Sequence, residues 1–406
     1  MNEQVGADSP PAGSVYRRLL LPIYIPSLLS SISLQALLVL LPLYVLEQGA
    51  GAPFAAVLIG LRGIGMFLFD LPVGILLARL GDKPVLLFGV VAMTASTALF
   101  ALSDSLWVMG VAAIVSGMGF TAWMIGRQSY IADNCEIGER GRAMAAMAGT
   151  MRLGGFIGPA VGAIVAQTFG FGVAFIVLSA TVGAAALFVM SFSRNVPPET
   201  RPGNTHLSSG IKEIVNANAR ILSTGGIASV GLQLMRSGRI LLIPLFGHFL
   251  GLNITTIGLI ISLSAMLDAA MFVPVGMVMD RYGRKWASVP CLLLFAVSLA
   301  LLPLTQGYYS LLAVSLLAGF ANGLGTGSLL ILGSDLAPIK GGKEFLGIWR
   351  FIGDIGHAGG PLMIGALIEL ATLGLAATAT AGIGLVSAAV LYWLVDETLH
   401  RHRKPD

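Results

Sequence analysis

The sequence predicts an all-α polytopic membrane protein with 12 transmembrane helices in two pseudo-symmetric six-helix bundles. Three observations support this fold class: the composition, the spacing of the apolar segments, and a repeat that relates the two halves. Of the 406 residues, 56% are hydrophobic and only 11% are charged, whereas soluble domains carry about 25% charged residues. The 52 glycines and 19 prolines also fit membrane helices, where neighbouring helices satisfy the freed backbone groups.

Apolar segments of about 20 residues can cross the hydrocarbon layer, and twelve such segments follow one another along the chain. The first, which begins after Arg18, is too long for a signal-peptide core and lacks a clear cleavage site, so we expect it to be retained. The predicted spans are 20–46, 54–78, 84–103, 106–131, 143–167, 171–192, 221–249, 254–279, 286–305, 309–333, 345–371 and 374–395.

The lysines and arginines predict the orientation of these spans. Nineteen of the 24 lie in the two terminal segments, in alternate loops or, for Arg127, near the loop end of span 106–131, all on one side. The other five, Arg62, Arg152, Arg236, Arg239 and Arg350, lie inside spans, so the opposite loops contain none. Positively charged loops stay in the cytoplasm. We therefore expect a multi-pass protein of the cell (inner) membrane with both termini cytoplasmic.

The longest polar interval, 193–220, contains prolines and mixed charge and is predicted to be a cytoplasmic linker. It separates an N-terminal six-helix half, 1–192, from a C-terminal six-helix half, 221–406. The opposite loops, such as Ser103–Ser105, are too short to hold an extracellular domain.

A repeat with an offset of 202 residues relates these halves. Segment 71–87, LPVGILLARLGDKPVLL, matches segment 273–289, VPVGMVMDRYGRKWASV, at its proline, glycines, arginine and lysine. The same offset pairs Asp133 with Asp335, and Gly154, Gly158 and Pro159 with Gly356, Gly360 and Pro361. Internal repeats are common in secondary transporters, whose binding sites lie near the midplane between the repeats.

Two motifs resemble those of the major facilitator superfamily. The loop Gly276-x3-Asp280-Arg281-x-Gly283-Arg284-Lys285 resembles the family's signature between spans 8 and 9. The motif Gly154, Gly158, Pro159 and Gly162 resembles the span-5 signature often found in drug–proton antiporters. Across the whole chain, the resemblance implies a two-bundle transporter that works by alternating access. It departs at Ala78, where the family has an aspartate, and at Ala113, where many proton-coupled exporters have an arginine.

The loops after spans 2 and 8 are predicted to form a gate on the cytoplasmic side. We expect Arg284 to pair with Asp335, and Arg79 or Lys83 to reach Asp133. The alternative is a pair of tight turns whose solvated charges only set the orientation. The candidate gate residues are Gly74, Arg79, Asp133, Gly276, Asp280, Arg281, Gly283, Arg284 and Asp335.

Ionisable groups inside spans are costly, at about 2.5–3.5 kcal/mol each on insertion scales, and they mark functional pathways. Our candidates for the substrate and proton pathway are Arg62, Asp70, Arg152, Gln233, Arg236, Arg239, Asp268, Arg350, Asp354 and His357. Because spans 2 and 11, and spans 5 and 8, meet in the resembled fold, we expect ion pairs Asp70–Arg350 and Arg152–Asp268. Protonating either aspartate would then weaken a closed state, unless both pairs are purely structural.

The excess of buried arginines favours an anionic group on the substrate, because guanidinium binds carboxylate or phosphate bidentately. We expect no cofactor and no metal, because the sequence lacks a Gly-x4-Gly-Lys-Ser/Thr loop and a Cys/His cluster. The chain is therefore predicted to be a transporter rather than an enzyme, acting as a monomer in the lipid bilayer with no nucleic-acid partner. Proton-coupled export of small amphiphilic compounds is the leading function. A symporter or uniporter of a small organic anion is the alternative, and a receptor or an intramembrane enzyme using Asp354 and His357 is less favoured.

Overall fold

The computed structural model describes residues 13–194, 210–338 and 341–399, and these are helical nearly throughout. The long helices, numbered α1 to α12, are Val15–Glu47, Gly51–Leu80, Asp82–Leu102, Leu106–Asn134, Ile137–Phe169, Phe171–Phe192, Ala219–Phe249, Ile254–Tyr282, Lys285–Leu304, Tyr308–Leu336, Gly342–Leu370 and Leu373–Leu394. A short helix, Gly210–Ala217, precedes α7. Most of the predicted linker, 193–220, lies outside the described residues.

Eleven of these helices in the described chain are long and apolar enough to span a membrane. The twelfth, α7, is 31 residues long and carries Arg236 and Arg239 within its length. Both arginines belong to the candidate pathway. The α7 helix is therefore long enough to cross the bilayer while presenting charge inside it.

The two halves have the same internal packing. In the first half α1 packs on α5 and α6, while α4 packs on α2 and α3. In the second half α7 packs on α11 and α12, while α10 packs on α8 and α9. Each helix in one list is six positions from its counterpart in the other, so the repeat in the sequence is a repeat in the fold. The predicted pair of six-helix bundles is present.

The halves meet mainly where α2 packs on α11 and α5 packs on α8. We call the side with residues 13–18 and the loops at Gly81 and Gly283 the loop side, and the opposite side the far side. On the far side, Gly365 of α11 packs on Ala56 of α2. The backbone N–H of Ile254 donates a 3.0 Å hydrogen bond to Gln167. The halves are therefore in direct contact on the far side.

Glycine permits this close approach. A Cβ atom at Gly258 of α8 would collide with the Cβ of Ala163 and come within 2.6 Å of the Pro159 carbonyl oxygen on α5. Small residues at helix crossings let membrane helices approach closely and gain van der Waals contact. The close contact between α5 and α8 therefore requires a residue without a side chain at position 258.

We predict that Gly258→Ala destabilises the protein by about 1–3 kcal/mol, because the backbone of α5 cannot yield to the added methyl group. The matched control is Gly382→Ala in α12, where a Cβ atom meets nothing within 4 Å. Thermal unfolding of the purified variants measures the difference. Equal unfolding midpoints for the two variants would contradict this description of the interface.

Candidate functional site

Two adjoining cavities of about 410 and 560 Å³ lie between the halves. Both are lined by Gln35 and Met151 of the first half and by Gln233, Arg236 and His357 of the second. We call them together the central cavity. The larger part runs along α4 past Phe120, Met124 and Gln128, toward the loop-side end of that helix at Asn134. The cavity therefore extends toward the loop side, whereas the far side is closed.

Asp268 is the centre of a charged cluster in the smaller part. Its carboxylate lies 3.5 Å from Arg152 Nη1 and 4.0 Å from Arg239 Nη1. It accepts a 2.6 Å hydrogen bond from the side-chain amide of Asn322, whose oxygen accepts a 2.8 Å bond from Nε of Arg236. The Arg152–Asp268 contact is the one expected between α5 and α8. One carboxylate therefore stands among three guanidinium groups.

A break in α10 supplies a further hydrogen-bond acceptor for Arg236. The helix is interrupted between Leu324 and Ser328, and Gly327 there has a left-handed φ of 73°. The carbonyl of Gly325, within the break, accepts a 3.1 Å hydrogen bond from Nη2 of Arg236, while Gln233 accepts one of 3.0 Å from Nη1. Sequence reasoning missed Asn322 and this carbonyl, although the run Gly323-Leu-Gly-Thr-Gly327 was a visible signal for an unwound span.

Arg62 lines the larger part of the cavity in a different way. Its residue surface is 4% exposed, and its guanidinium carbon lies 4.9 Å from the centre of the Phe120 ring. Its polar contact is Met66 Sδ at 3.6 Å, and its Nε has no hydrogen-bond partner. Among the described residues, no carboxylate lies within the 4.0 Å that defines an ion pair with Arg62. A buried guanidinium in this position leaves a strong anion-binding group facing the cavity.

The expected Asp70–Arg350 ion pair is replaced by a different arrangement. Arg350 lies 3.9 Å from Asp354 on its own helix. The carboxyl groups of Asp70 and Asp354 lie within hydrogen-bonding reach of each other, across the contact between α2 and α11. His357, one turn beyond Asp354, lines both parts of the cavity. The depth of each residue along its helix correctly predicted that Asp70 and Arg350 lie at a similar level in the membrane. It did not predict that Asp354 would be the partner of both.

On the loop side, the second-half gate loop is a connected network. Arg284 Nε donates a 3.0 Å bond to Asp335, as expected, and the Thr398 hydroxyl donates one of 2.9 Å to the same carboxylate oxygen. The carboxylate of Glu397 accepts 2.9 Å bonds from the backbone N–H groups of Arg284 and Lys285. Glu397 therefore caps the N-terminus of α9.

Of the other candidate gate residues, Asp280 joins this network at its exposed edge. Asp280 is 81% exposed at its side chain and lies 3.3 Å from Arg284. Arg281 packs against the Tyr282 ring at 5.3 Å. Gly283 has a φ of 111° and forms the tight turn, whereas Gly74 and Gly276 face open space.

The first-half loop shares a lysine contact with the second. Lys83 donates a 2.7 Å bond to the backbone carbonyl of Met190, and Arg79 and Asp133 are both exposed. Asp82 is fully buried. The loops are therefore alike in backbone, with positive φ at Gly81 and Gly283, and in this lysine contact, because Lys285 donates a 2.6 Å bond to the backbone carbonyl of Tyr392, 202 residues after Met190. The expected contact of Arg79 or Lys83 with Asp133 stays a prediction.

The span-5 motif packs α5 against α1. A Cβ atom at Gly154 would meet Ser31, one at Gly158 would meet the Ile32 carbonyl, and one at Gly162 would meet Ala36. The neighbouring Pro159 carbonyl contacts α8 across the interface. The motif therefore fixes α5 between its own bundle and the other half, beside the Asp268 cluster.

Comparison with known proteins agrees with this architecture. A sequence model of the Major Facilitator Superfamily matches residues 23–249 and again 225–406. The synaptic vesicular amine transporter of Bos taurus is 25% identical over 73% of this chain, which spans 57% of that protein's length. The multi-drug resistance efflux pump PmrA homolog of Lactococcus lactis is 25% identical over 71% of each protein.

Solved structures show the same fold. A point mutant of the nucleoside transporter NupG superposes with a TM-score of 0.79 at 13% identity, over 93% of this chain and 100% of that one. The human organic anion transporter MFSD10 superposes with a TM-score of 0.67 at 19% identity, over 94% and 100%.

We predict that Glu397→Gln lowers stability by about 1 kcal/mol at neutral pH, since a carboxylate that caps a helix N-terminus contributes about that much. Burial raises the pKa of Glu397, but the backbone N–H donors of Lys285, Arg284, Leu399 and Thr398 together lower it by more than burial raises it. The folded-state pKa therefore lies below the unfolded value. The contribution is thus present above the unfolded pKa and is lost as pH falls through the folded pKa. Unfolding midpoints measured against pH should show the deficit shrinking in acid. Asp396→Asn, which alters an exposed neighbour, should show little deficit; a deficit equal to that of Glu397→Gln would refute the cap.

Proposed function

The chain belongs to the Major Facilitator Superfamily, and from that premise we propose that it is a secondary active transporter that exports small amphiphilic compounds in exchange for protons by alternating access. The observation that carries the proposal is the central cavity, which residues of both halves line together. Because the halves have the same packing, rocking of one against the other would expose this cavity to each side in turn. The described conformation would be the cytoplasm-facing one if the loop side is cytoplasmic.

The lining suits an amphiphile. Leu38, Val39, Ile240 and Ile261 supply apolar walls, while Gln35 and Gln233 supply neutral polar groups. Asp268, Asp354 and His357 line the same space. A substrate and a proton would therefore act on one set of groups, which is what exchange between them requires.

We further propose that the exported compound carries an anionic group. In the described chain the cavity is lined by Arg62, Arg236, Arg239 and Arg350, against the two carboxylates of Asp268 and Asp354. A carboxylate or phosphate at Arg62 would supply the anionic partner that this buried guanidinium lacks among the described residues. The name of the vesicular amine transporters argues for a cationic substrate, so the charge of the substrate is the point to test.

Uniport or symport of a small organic anion is the second candidate. The excess of guanidinium groups favours it, as does Ala113, which is buried in α4 where many proton-coupled exporters have an arginine. In either case we propose a monomer in the cell (inner) membrane, with the loop side facing the cytoplasm.

Proteoliposomes distinguish these functions. For antiport, an imposed pH gradient should drive an anionic amphiphile against the direction of proton flow. Parallel flow would indicate symport, and substrate flux that ignores the gradient would indicate a uniporter; either result would contradict the leading proposal.

We predict that Arg62→Gln weakens binding of an anionic amphiphile about 10- to 100-fold, because loss of one charge-assisted contact to a buried guanidinium corresponds to about 1.5–3 kcal/mol. Binding of a neutral analogue of the same shape should change little. Isothermal titration of the purified protein measures both affinities. Arg220→Gln, which removes an exposed arginine near the start of α7, is the control. Equal losses for the anionic and the neutral ligand would show that Arg62 serves packing alone.

A further inference from the structure

Two carboxyl groups face each other across the interface between the halves. Asp70 lies on α2 and Asp354 on α11, and their side chains are within hydrogen-bonding reach. The rings of Phe67 and Phe351, three residues before each aspartate, also meet, with centroids 4.7 Å apart. The contact therefore joins matching faces of the two helices over about one turn.

The internal repeat places the same two positions together in the other interface. Adding the 202-residue offset to Asp70 gives Phe272, and subtracting it from Asp354 gives Arg152. The guanidinium carbon of Arg152 lies 4.4 Å from the centre of the Phe272 ring, between α5 and α8. The Asp70–Asp354 contact between α2 and α11 is thus pseudo-equivalent to the Phe272–Arg152 contact between α8 and α5. Of the two, only the Asp70–Asp354 contact joins two acidic side chains.

Within the described chain, the surroundings of the pair offer one nearby cation. Arg350 lies 3.9 Å from Asp354 and interacts electrostatically with Asp70, while the Thr121 hydroxyl of α4 lies within reach of Asp70. From α7, Ser229 and Gln233 pack against Gly353.

Two further charged or titratable groups lie farther along the same helices. Arg62 is eight residues before Asp70 and lies over Phe120. His357 is three residues after Asp354 and lines both parts of the cavity.

Two carboxylates have no hydrogen between them, so a hydrogen bond between them requires a bound proton. With one shared proton the pair carries one negative charge, which Arg350 balances. Without it, two negative charges stand at one contact in a low-dielectric interior, where their repulsion is strong. We propose that Asp70 and Asp354 form a proton-binding site that holds α2 against α11 when occupied and releases them when empty.

This arrangement reverses the sign expected from the sequence. In an Asp70–Arg350 ion pair, protonation would weaken the contact between the halves. In the observed pair, protonation strengthens it. Because the proton binds one arrangement of the halves better than the other, proton release and rocking are linked. The inference rests on the proposed exchange, for which it supplies the coupling site.

Distances between spin labels test the site without any substrate. The labels go on Val57→Cys of α2 and Leu370→Cys of α11, both exposed positions toward the far side, which is closed in the described state, in a background where the buried Cys135 and Cys291 are replaced by alanine. Electron–electron resonance should show a short distance at low pH and a growing longer-distance population as pH rises. Asp70→Asn and Asp354→Asn should each keep the short distance at all pH values, because the amide donates permanently to the remaining carboxylate.

Two controls keep this test decisive. Glu369→Gln, an exposed acid on α11, should titrate like the parent protein, and Asp354→Glu, which retains a titrating carboxyl, should keep a pH-dependent distance. An unchanged titration in Asp70→Asn or Asp354→Asn, or a parent distance that ignores pH, would overturn the proposal.

Transport gives a second, separate readout. In proteoliposomes the Asn variants should lose substrate-driven proton flux, because their α2–α11 contact no longer responds to the proton. Proton flux equal to that of the parent would count against a coupling site. If the parent protein moves substrate with no proton flux, the proposed antiport fails, whereas the label distances still decide whether the pair binds a proton.

Discussion

Charge buried in a low-dielectric interior must be paired or hydrated, and this constraint determines how the two halves meet. Asp268 of the second half lies 3.5 Å from Arg152 of the first, and Asn322 relays its charge to Arg236 through hydrogen bonds of 2.6 and 2.8 Å. Removing either partner of such a contact leaves an uncompensated charge, which is far more costly than the pair is stabilising. The polar groups are therefore concentrated at the seam between the bundles rather than on the lipid-facing surface.

The scaffold is symmetric but the charges are not. The repeat places a phenylalanine and an arginine, Phe272 and Arg152, where the other interface has Asp70 and Asp354. Likewise, Arg62 corresponds to Ser264 and Asp268 to Met66. The two interfaces therefore have equivalent backbones but unequal charged side chains, and the central cavity lies between them.

Much of this fold was predictable because the sequence patterns that indicate it extend over many residues. Twenty-residue apolar segments, one-sided positive charge and a constant offset each average over many residues, and the spans, the two bundles and the Arg284–Asp335 contact followed from them. The side-chain partners inside the membrane depend instead on helix rotation and on local breaks. Depth along α2 and α11 placed Asp70 near Arg350, but rotation brought Asp354 to Asp70. The break at Gly325, which frees a carbonyl for Arg236, and the cap supplied by Glu397 from beyond α12 are contacts that span counting does not resolve.

The central claim is that a wet, substrate-accessible cavity separates the halves and opens toward the loop side. Gln35 of α1 lines both parts of that cavity, so the most direct measurement is the reaction of Gln35→Cys with a membrane-impermeant thiol reagent in oriented vesicles. The account predicts fast labelling from the loop side that an anionic amphiphile slows. Labelling no faster than at Gly382→Cys of α12, or labelling unaffected by any transported compound, would contradict it.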